Sequence, residues 1–407
     1  MPELPPTLNG TPTDRIARAL ASRMRAASPL RPGERATVVF DTGPDAWTLG
    51  FDAEGASLCT RRVRSPDAVL FAPADVMAGV IEGTRSGVDA WLAGQLTMRG
   101  NIALALRLQS TVDRDRPARI PRARTVAAHG VDTFYLEAGN GPAVVLLHGL
   151  GATNSSMLPT LAELSHDHRV LAPDLPGFGE SSKPLLAYHP AFYATWLREF
   201  LDAAGLERAV LVGNSMGGRV AIEMALRHPA RVERLVLFAP SLAFRRFRFF
   251  QPVVRLLAAE LGVLPVPVPR CLAMRVLRLM FAEPGRLPAA WYEAAMDEFQ
   301  RVFRTLRGRI AFFSAARQIY LEEADGPDGF WERLPALAPP ALFLWGDQDL
   351  LVPAAFARHV EAALPRARSV VLAGCGHVPQ FEHPVRTHQL VREFLSEATT
   401  PPSSSGR

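Results

Sequence analysis

Residues 209–218 read Ala-Val-Leu-Val-Gly-Asn-Ser-Met-Gly-Gly. An apolar run of strand type leads into a glycine-flanked serine, and a helical stretch follows. A serine at a sharp strand-to-helix turn sits in a strained backbone conformation and projects its hydroxyl above the sheet. The residues two before and two after it come too close together for side chains, which explains Gly213 and Gly217. The helix that follows begins beneath the serine and offers backbone N–H groups to an anion. Ser215 is therefore the candidate nucleophile.

Outward from this turn the chain alternates strands and helices. Strands are expected at Thr133–Glu137, Ala143–Leu147, Arg169–Ala172, Ala209–Val212, Leu235–Phe238, Ala341–Trp345 and Ser369–Leu372. The middle ones are continuous apolar runs, as parallel strands buried on both faces require. Amphipathic stretches between them complete an α/β sheet. Further motifs sit at strand ends, where α/β sheets place their sites. His148-Gly149-Leu150-Gly151 is a flexible loop whose Leu150 N–H, with the N–H of Met216, forms a candidate oxyanion hole. His148 itself reads as structural. Trp345-Gly346-Asp347-Gln348-Asp349 offers two carboxylates to orient a histidine. Gly374-Cys375-Gly376-His377 places a candidate general base on a glycine-flanked loop. Cys375 reads as a small packing residue, and the other histidines are scattered, without metal-ligand spacing.

Taken together, residues 125–398 resemble the α/β-hydrolases, with the triad in the order Ser215, Asp349, His377. Asp174-Leu-Pro-Gly-Phe-Gly-Glu-Ser181 resembles a further loop of that family. The family pattern Gly-x-x-Asp-x-x-Val-Pro implies Asp349 as the acid and leaves Asp347 as a loop carboxylate. A serine nucleophile implies attack on a carbonyl and an acyl-enzyme, in contrast to the relatives that use aspartate. Hydrolysis of a hydrophobic ester or thioester is expected, without metal or organic cofactor. Two rivals stand beside it: C–C bond hydrolysis of the meta-cleavage-product type, and a lipid carrier or scaffold whose hydrolase domain is silent.

About 100 residues separate the strand ending near Phe238 from the one at Ala341, far more than an ordinary connection. The resemblance implies a helical cap over the site, at about residues 241–335. Its first part, Ser241 to Phe281, carries seven arginines against the single acid Glu260, a local charge of +6 where the whole chain has +5. These arginines interleave with Phe244, Phe247, Phe249, Phe250, Leu256 and Leu257. Such a stretch suits an anionic membrane surface, an amphiphilic substrate or plain solvation, and leaves peripheral membrane contact open.

The first 112 residues follow another pattern. Ile16, Leu20 and Met24 fall at helical spacing, with Thr13 or Asp14 as cap. Strand-like runs at 36–40, 46–51 and 56–62 precede helical stretches at 74–82 and 86–93. Gly94-Gln-Leu-Thr-Met-Arg-Gly100-Asn101 then leads into an apolar helix to Gln109. That helix is apolar on more than one face, so it is either deeply buried or lines an apolar cavity. The order resembles the sterol carrier protein type 2 family, an α+β lipid-binding fold, and the resemblance implies a tunnel for a sterol, fatty acid or acyl chain. Residues 113–124, charged and proline-bearing, read as the linker, and 399–407 as a disordered tail.

Composition bounds the rest. A chain of 407 residues, 48% hydrophobic, suggests two or three domains and buries a sizeable core unaided. Cys59, Cys271 and Cys375 are too few and too scattered for a disulfide framework. Lys183 is the sole lysine beside 44 arginines, a skew of genome composition more than of phosphate binding, so no nucleic acid partner is expected. The N-terminus lacks the basic and apolar regions of a signal peptide, and no apolar stretch is long enough to span a bilayer. The default compartment is the cytoplasm.

Overall fold

The computed structural model describes residues 11–23, 34–110, 117–243, 262–263 and 268–397. The tail expected to be disordered, Met24, and the aromatic and basic run from Phe244 to Leu257 lie outside the described residues.

Strands β1 (Ala36–Asp41), β2 (Ala46–Asp52), β3 (Gly55–Cys59), β4 (Ala68–Phe71) and β5 (Thr97–Gly100) form a sheet in the order β3-β2-β1-β4-β5. Only the β1–β4 pair is parallel. Val38, Phe40, Leu49 and Phe51 point to the core from β1 and β2. The first helix, Pro12–Arg23, buries Ile16 and Leu20. Its cap is Thr11, not Thr13 or Asp14: the Thr11 hydroxyl accepts from the Asp14 N–H while the Asp14 carboxylate accepts from the Thr11 N–H. This reciprocal box satisfies two donors at once, which a cap inside the helix does not. The strand β4 was not anticipated; at four residues it is too short to show a period.

The larger sheet holds β6 (Arg122–Ala128), β7 (Val131–Ala138), β8 (Ala143–Leu147), β9 (Arg169–Pro173), β10 (Ala209–Asn214), β11 (Val232–Phe238), β12 (Ala341–Gly346) and β13 (Arg368–Leu372). Their order is β13-β12-β11-β10-β8-β9-β7-β6, parallel from β9 through β13. β6 starts at Arg122, inside the expected linker. It is an edge strand paired only with β7, and its Arg-Ala-Arg-Thr sequence lacks the apolar alternation that would mark it. The chain reverses direction of spread at β8, which has β9 on one side and β10 on the other. That switch point puts the ends of β8 and β10 side by side, with Leu147 opposite Gly213.

Alternate residues of the central strands feed two cores. Val145, Leu147, Leu211 and Phe343 face one; Val144, Leu146, Val212 and Leu344 face the other. The second core is continuous with that of the N-terminal domain. Trp91 lies 5.0 Å from Trp291 of the cap and 6.4 Å from Phe381, ring centre to ring centre. The helix Ile102–Ser110 is buried from Ile102 through Gln109, Arg107 included. Its all-round apolarity thus follows from its place: it packs on β4 of its own sheet and on β6 of the other domain.

Carboxylates of the cap helix Ala289–Phe303 hold the start of that buried helix. Asp297 accepts from the Gly100 N–H at 3.0 Å and pairs with Arg99; Glu298 accepts from the Ile102 N–H at 2.9 Å. Arg301 then links Glu298 to Glu180, which lies 3.6 Å from Arg107. Glu298 satisfies an orphan donor at the helix N-terminus, and Asp297 meets the last strand residue just before it; negative charge there also complements the helix dipole. Replacing Glu298 by Ala leaves the buried Ile102 N–H without its acceptor and Arg301 with Glu180 alone, and should cost about 3 kcal/mol. Glu298→Gln, which still accepts, should cost less, and the shift of the denaturation midpoint of the whole chain measures both.

A second buried cluster fixes the helix Met216–Arg227. Glu223, 2% exposed, receives Arg219, Arg227 and Arg333. Burial by itself raises its pKa, but the three arginines outweigh that and hold it at about 2. A carboxylate with a folded pKa below its unfolded one contributes stability above the ordinary range and loses it as pH falls. Melting temperature should therefore decline between about pH 4.5 and about pH 2. A Glu223→Gln variant should melt lower at neutral pH and show a flatter decline.

Candidate active site

Ser215 occupies φ 54°, ψ −117°, a conformation that L-residues rarely adopt. Its backbone is held on both sides: the N–H donates to Phe238 O at 2.9 Å, and the carbonyl accepts from Arg219 N–H and Ser241 N–H. The glycines behave as their spacing requires. A Cβ on Gly213 would stand 2.5 Å from the Gly217 carbonyl, and one on Gly217 would stand 2.1 Å from Leu147 O. Met216 takes the first helical position, where backbone N–H groups have no intrahelical acceptor. The His148 loop lies against this turn: a Cβ on Gly149 would be 3.4 Å from the Ser215 Cβ, and Gly151 is left-handed at φ 72°. Leu150 sits between those glycines and is half-buried.

His148 is fully buried and bridges two loops. Its Nδ1 donates to Gly149 O at 2.8 Å, and its Nε2 accepts from the Leu175 N–H at 2.9 Å. Burial lowers its pKa to about 4, so it stays neutral in the tautomer that both bonds require. Leu175 belongs to the Asp174–Ser181 loop, which is wound on Asp174. That carboxylate accepts from Asn154 N–H at 2.7 Å and Glu180 N–H at 2.8 Å, and burial lifts it to about 7 against their pull.

The expected acid and base meet at the far strands. His377 Nδ1 lies 2.7 Å from Asp349 Oδ2, both side chains all but excluded from solvent. Asp349 Oδ1 accepts from the N–H groups of Leu351 and Val352, which fix the carboxylate plane. Asp347 is exposed and receives the Cys375 N–H instead. Cys375 is buried, and burial first of all pushes its thiol pKa up, so it stays protonated as a packing group.

Ser215 is the one expected residue not joined to its partner. Among the described residues no hydrogen bond links its Oγ to the His377 ring; the hydroxyl lies 3.2 Å from Ser241 Oγ. The two loops are nonetheless tied, because the Asn214 side chain donates to both Phe238 O and His377 O.

Three supporting residues escaped sequence reasoning. Ser241 is a lone serine after β11 with no motif around it. Asn214 occupies a variable position of its motif. Glu382 gave no signal, yet its carboxylate accepts from Gly376 N–H at 2.9 Å and Ala282 N–H at 2.7 Å, and burial raises its pKa. The His377 N–H in turn donates to Met280 O at 2.7 Å, so the cap and the base loop share a seam. No group of three His, Cys, Asp or Glu among the described residues is arranged to hold a metal ion.

A mostly parallel sheet with a serine turn after β10, an aspartate after β12 and a histidine after β13 is the architecture of the α/β hydrolases, and the chain belongs to that family. The α/β hydrolase family model matches residues 144–390, and that of the SCP-2 sterol transfer family matches residues 18–113. The chain is 32% identical to the 2-hydroxymuconate semialdehyde hydrolase of Pseudomonas sp. strain CF600 over 282 residues, covering 68% of this chain and 94% of that protein. A crystal structure of a membrane phospholipase A matches with a TM-score of 0.58 and 28% identity, over 79% of this chain and 94% of that one. A meta-cleavage product hydrolase matches with 0.53 and 27%, over 68% and 98%. No helix among the described residues is long and apolar enough to cross a membrane.

The Glu382 clamp leads to a direct expectation. Glu382→Ala frees the Gly376 and Ala282 N–H groups and loosens the base loop from the cap. Turnover should fall about 10- to 100-fold, as for other residues that orient a site through its neighbours, while circular dichroism of the folded protein stays unchanged.

Proposed function

We propose that this hydrolase cleaves a hydrophobic acyl ester or thioester through an acyl-enzyme on Ser215. His377 takes the serine proton, then returns it to the leaving group; Asp349 holds the imidazole and stabilises its cation. The N–H groups of Met216 and Leu150 receive the oxyanion. The observation that carries this reading is the buried 2.7 Å His377–Asp349 pair beside a serine held at positive φ. In an unliganded site the serine–histidine contact is commonly long and tightens with substrate. Meanwhile the Ser215 hydroxyl has Ser241 Oγ as its hydrogen-bond partner.

An apolar substrate is supported by the cap. Phe299, Phe303, Phe312 and Phe313 form one half-buried cluster, and Phe312 and Phe299 press on the Gly151 position, beside the proposed oxyanion loop. The N-terminal domain belongs with this reading as a lipid-holding module, as its family match suggests. Cleavage of a C–C bond is the second reading, favoured by the 32% identity to a 2-hydroxymuconate semialdehyde hydrolase. Nothing in the proposal requires a metal or an organic cofactor.

A fluorophosphonate probe should label the intact protein and leave Ser215→Ala unlabelled. A folded protein that resists labelling would return it to the silent carrier class. Asp349→Asn should lose on the order of 10⁴ in turnover on p-nitrophenyl acyl esters, and Asp347→Asn less than about threefold. The reverse pattern would exchange the two aspartates. Faster turnover of 2-hydroxymuconate semialdehyde than of any ester across acyl lengths would select the C–C reading.

A further inference from the structure

The cap helix Arg270–Arg278 divides into three faces. At 100° per residue, Ala273, Leu277, Met274 and Arg270 share the inner one. Ala273 is buried, and Arg270 anchors the helix start to Glu293, Asp297 and Gln300. Leu272, Val276 and Leu279 follow at intervals of four and three, and line a second face. They are 54%, 53% and 50% exposed. Arg275 and Arg278 line a third, also exposed, with Arg278 leaning over the Tyr292 ring. Among the described residues, the packing of the cap gives no account of an outward apolar stripe with arginines along one edge.

We propose that this helix is the surface by which the protein docks on an anionic phospholipid bilayer. Charge complementarity selects that occupant: the stripe is bordered by arginines and by no acid of its own helix. An interfacial helix needs an apolar face to enter the acyl boundary and basic groups to meet the phosphates, and the Arg270–Leu279 stretch supplies both within three turns. The position suits delivery of a lipid to the site. Past the helix end the chain runs through Met280, whose carbonyl accepts the His377 N–H, to Ala282, whose N–H is held by Glu382. A bilayer contact on this helix therefore lies one short segment from the base loop. The docking surface is independent of which bond the enzyme cleaves.

The test uses the full chain and sedimentation with vesicles of phosphatidylcholine, with and without 30% phosphatidylglycerol. The wild type should pellet with the anionic vesicles and stay in the supernatant with pure phosphatidylcholine. Arg275→Glu should weaken binding about 30-fold, and Leu272→Ser with Val276→Ser and Leu279→Ser at least about 10-fold. Hydrolysis of a short soluble ester and the circular dichroism spectrum should be unchanged in both. Failure of the wild type to bind anionic vesicles at low salt would overturn the proposal. So would unchanged binding by both variants, or a dimer in sedimentation velocity that the serine substitutions abolish without vesicle binding by the wild type.

Discussion

One residue of left-handed backbone organises the larger domain. Holding Ser215 at φ 54° costs about 1–3 kcal/mol, and such a conformation persists only where its surroundings over-determine it. Here they do. The Ser215 N–H is fixed to β11, its carbonyl to the elbow helix and to Ser241, and the adjacent Asn214 side chain to Phe238 O and His377 O. The same turn requires Gly213 and Gly217 to be bare, because β10, the helix and the end of β8 meet there at distances that admit no Cβ. The strand order follows from the same need. Only at the switch point do the ends of β8 and β10 stand adjacent, so that the Leu150 loop and the serine turn share one space.

The cap is held at two seams, and each joins it to something different. Met280 and Ala282 bond to the His377 loop and to Glu382. Asp297 and Glu298 bond to the start of a helix in the N-terminal domain. Gly376 sits at the first seam, where a Cβ would stand 2.5 Å from Met280 O. The first domain is thus packed against both the cap and, through Trp91 and Phe381, the short helix that follows the His377 loop. The buried Glu298 at the second seam favours one docking geometry, because a shifted arrangement leaves its carboxylate without the Ile102 N–H, away from water.

Much of the fold was legible because the signals are local. Apolar runs of four or five residues marked β8 and β10 almost to the residue, since strands buried on both faces need no longer-range information. The edge strand β6 was hidden for the converse reason: half of its surface faces water, and Arg122 and Arg124 resemble linker there. Glycine spacing made the serine turn legible for steric reasons alone. Ser241 and Glu382 were illegible, because each acts on a group far away in sequence or through a single backbone contact that no residue pattern announces.

By itself, the sequence determined the two-domain order, the α/β architecture and the candidates Ser215, His377, Asp347 and Asp349, since periodicity and turn chemistry depend on neighbours in the chain. The tertiary structure decided which aspartate meets the histidine: Asp349 Oδ2 lies 2.7 Å from Nδ1, while Asp347 turns to the Cys375 N–H. It also decided why the helix Ile102–Ser110 is apolar all round, which the sequence left between deep burial and a cavity. Its second covering is β6 of the other domain, and the N–H of its first residue, Ile102, is met by the Glu298 carboxylate almost 200 residues away. Such contacts are matters of shape and charge between distant surfaces, and they exist only once the chain has brought those surfaces together.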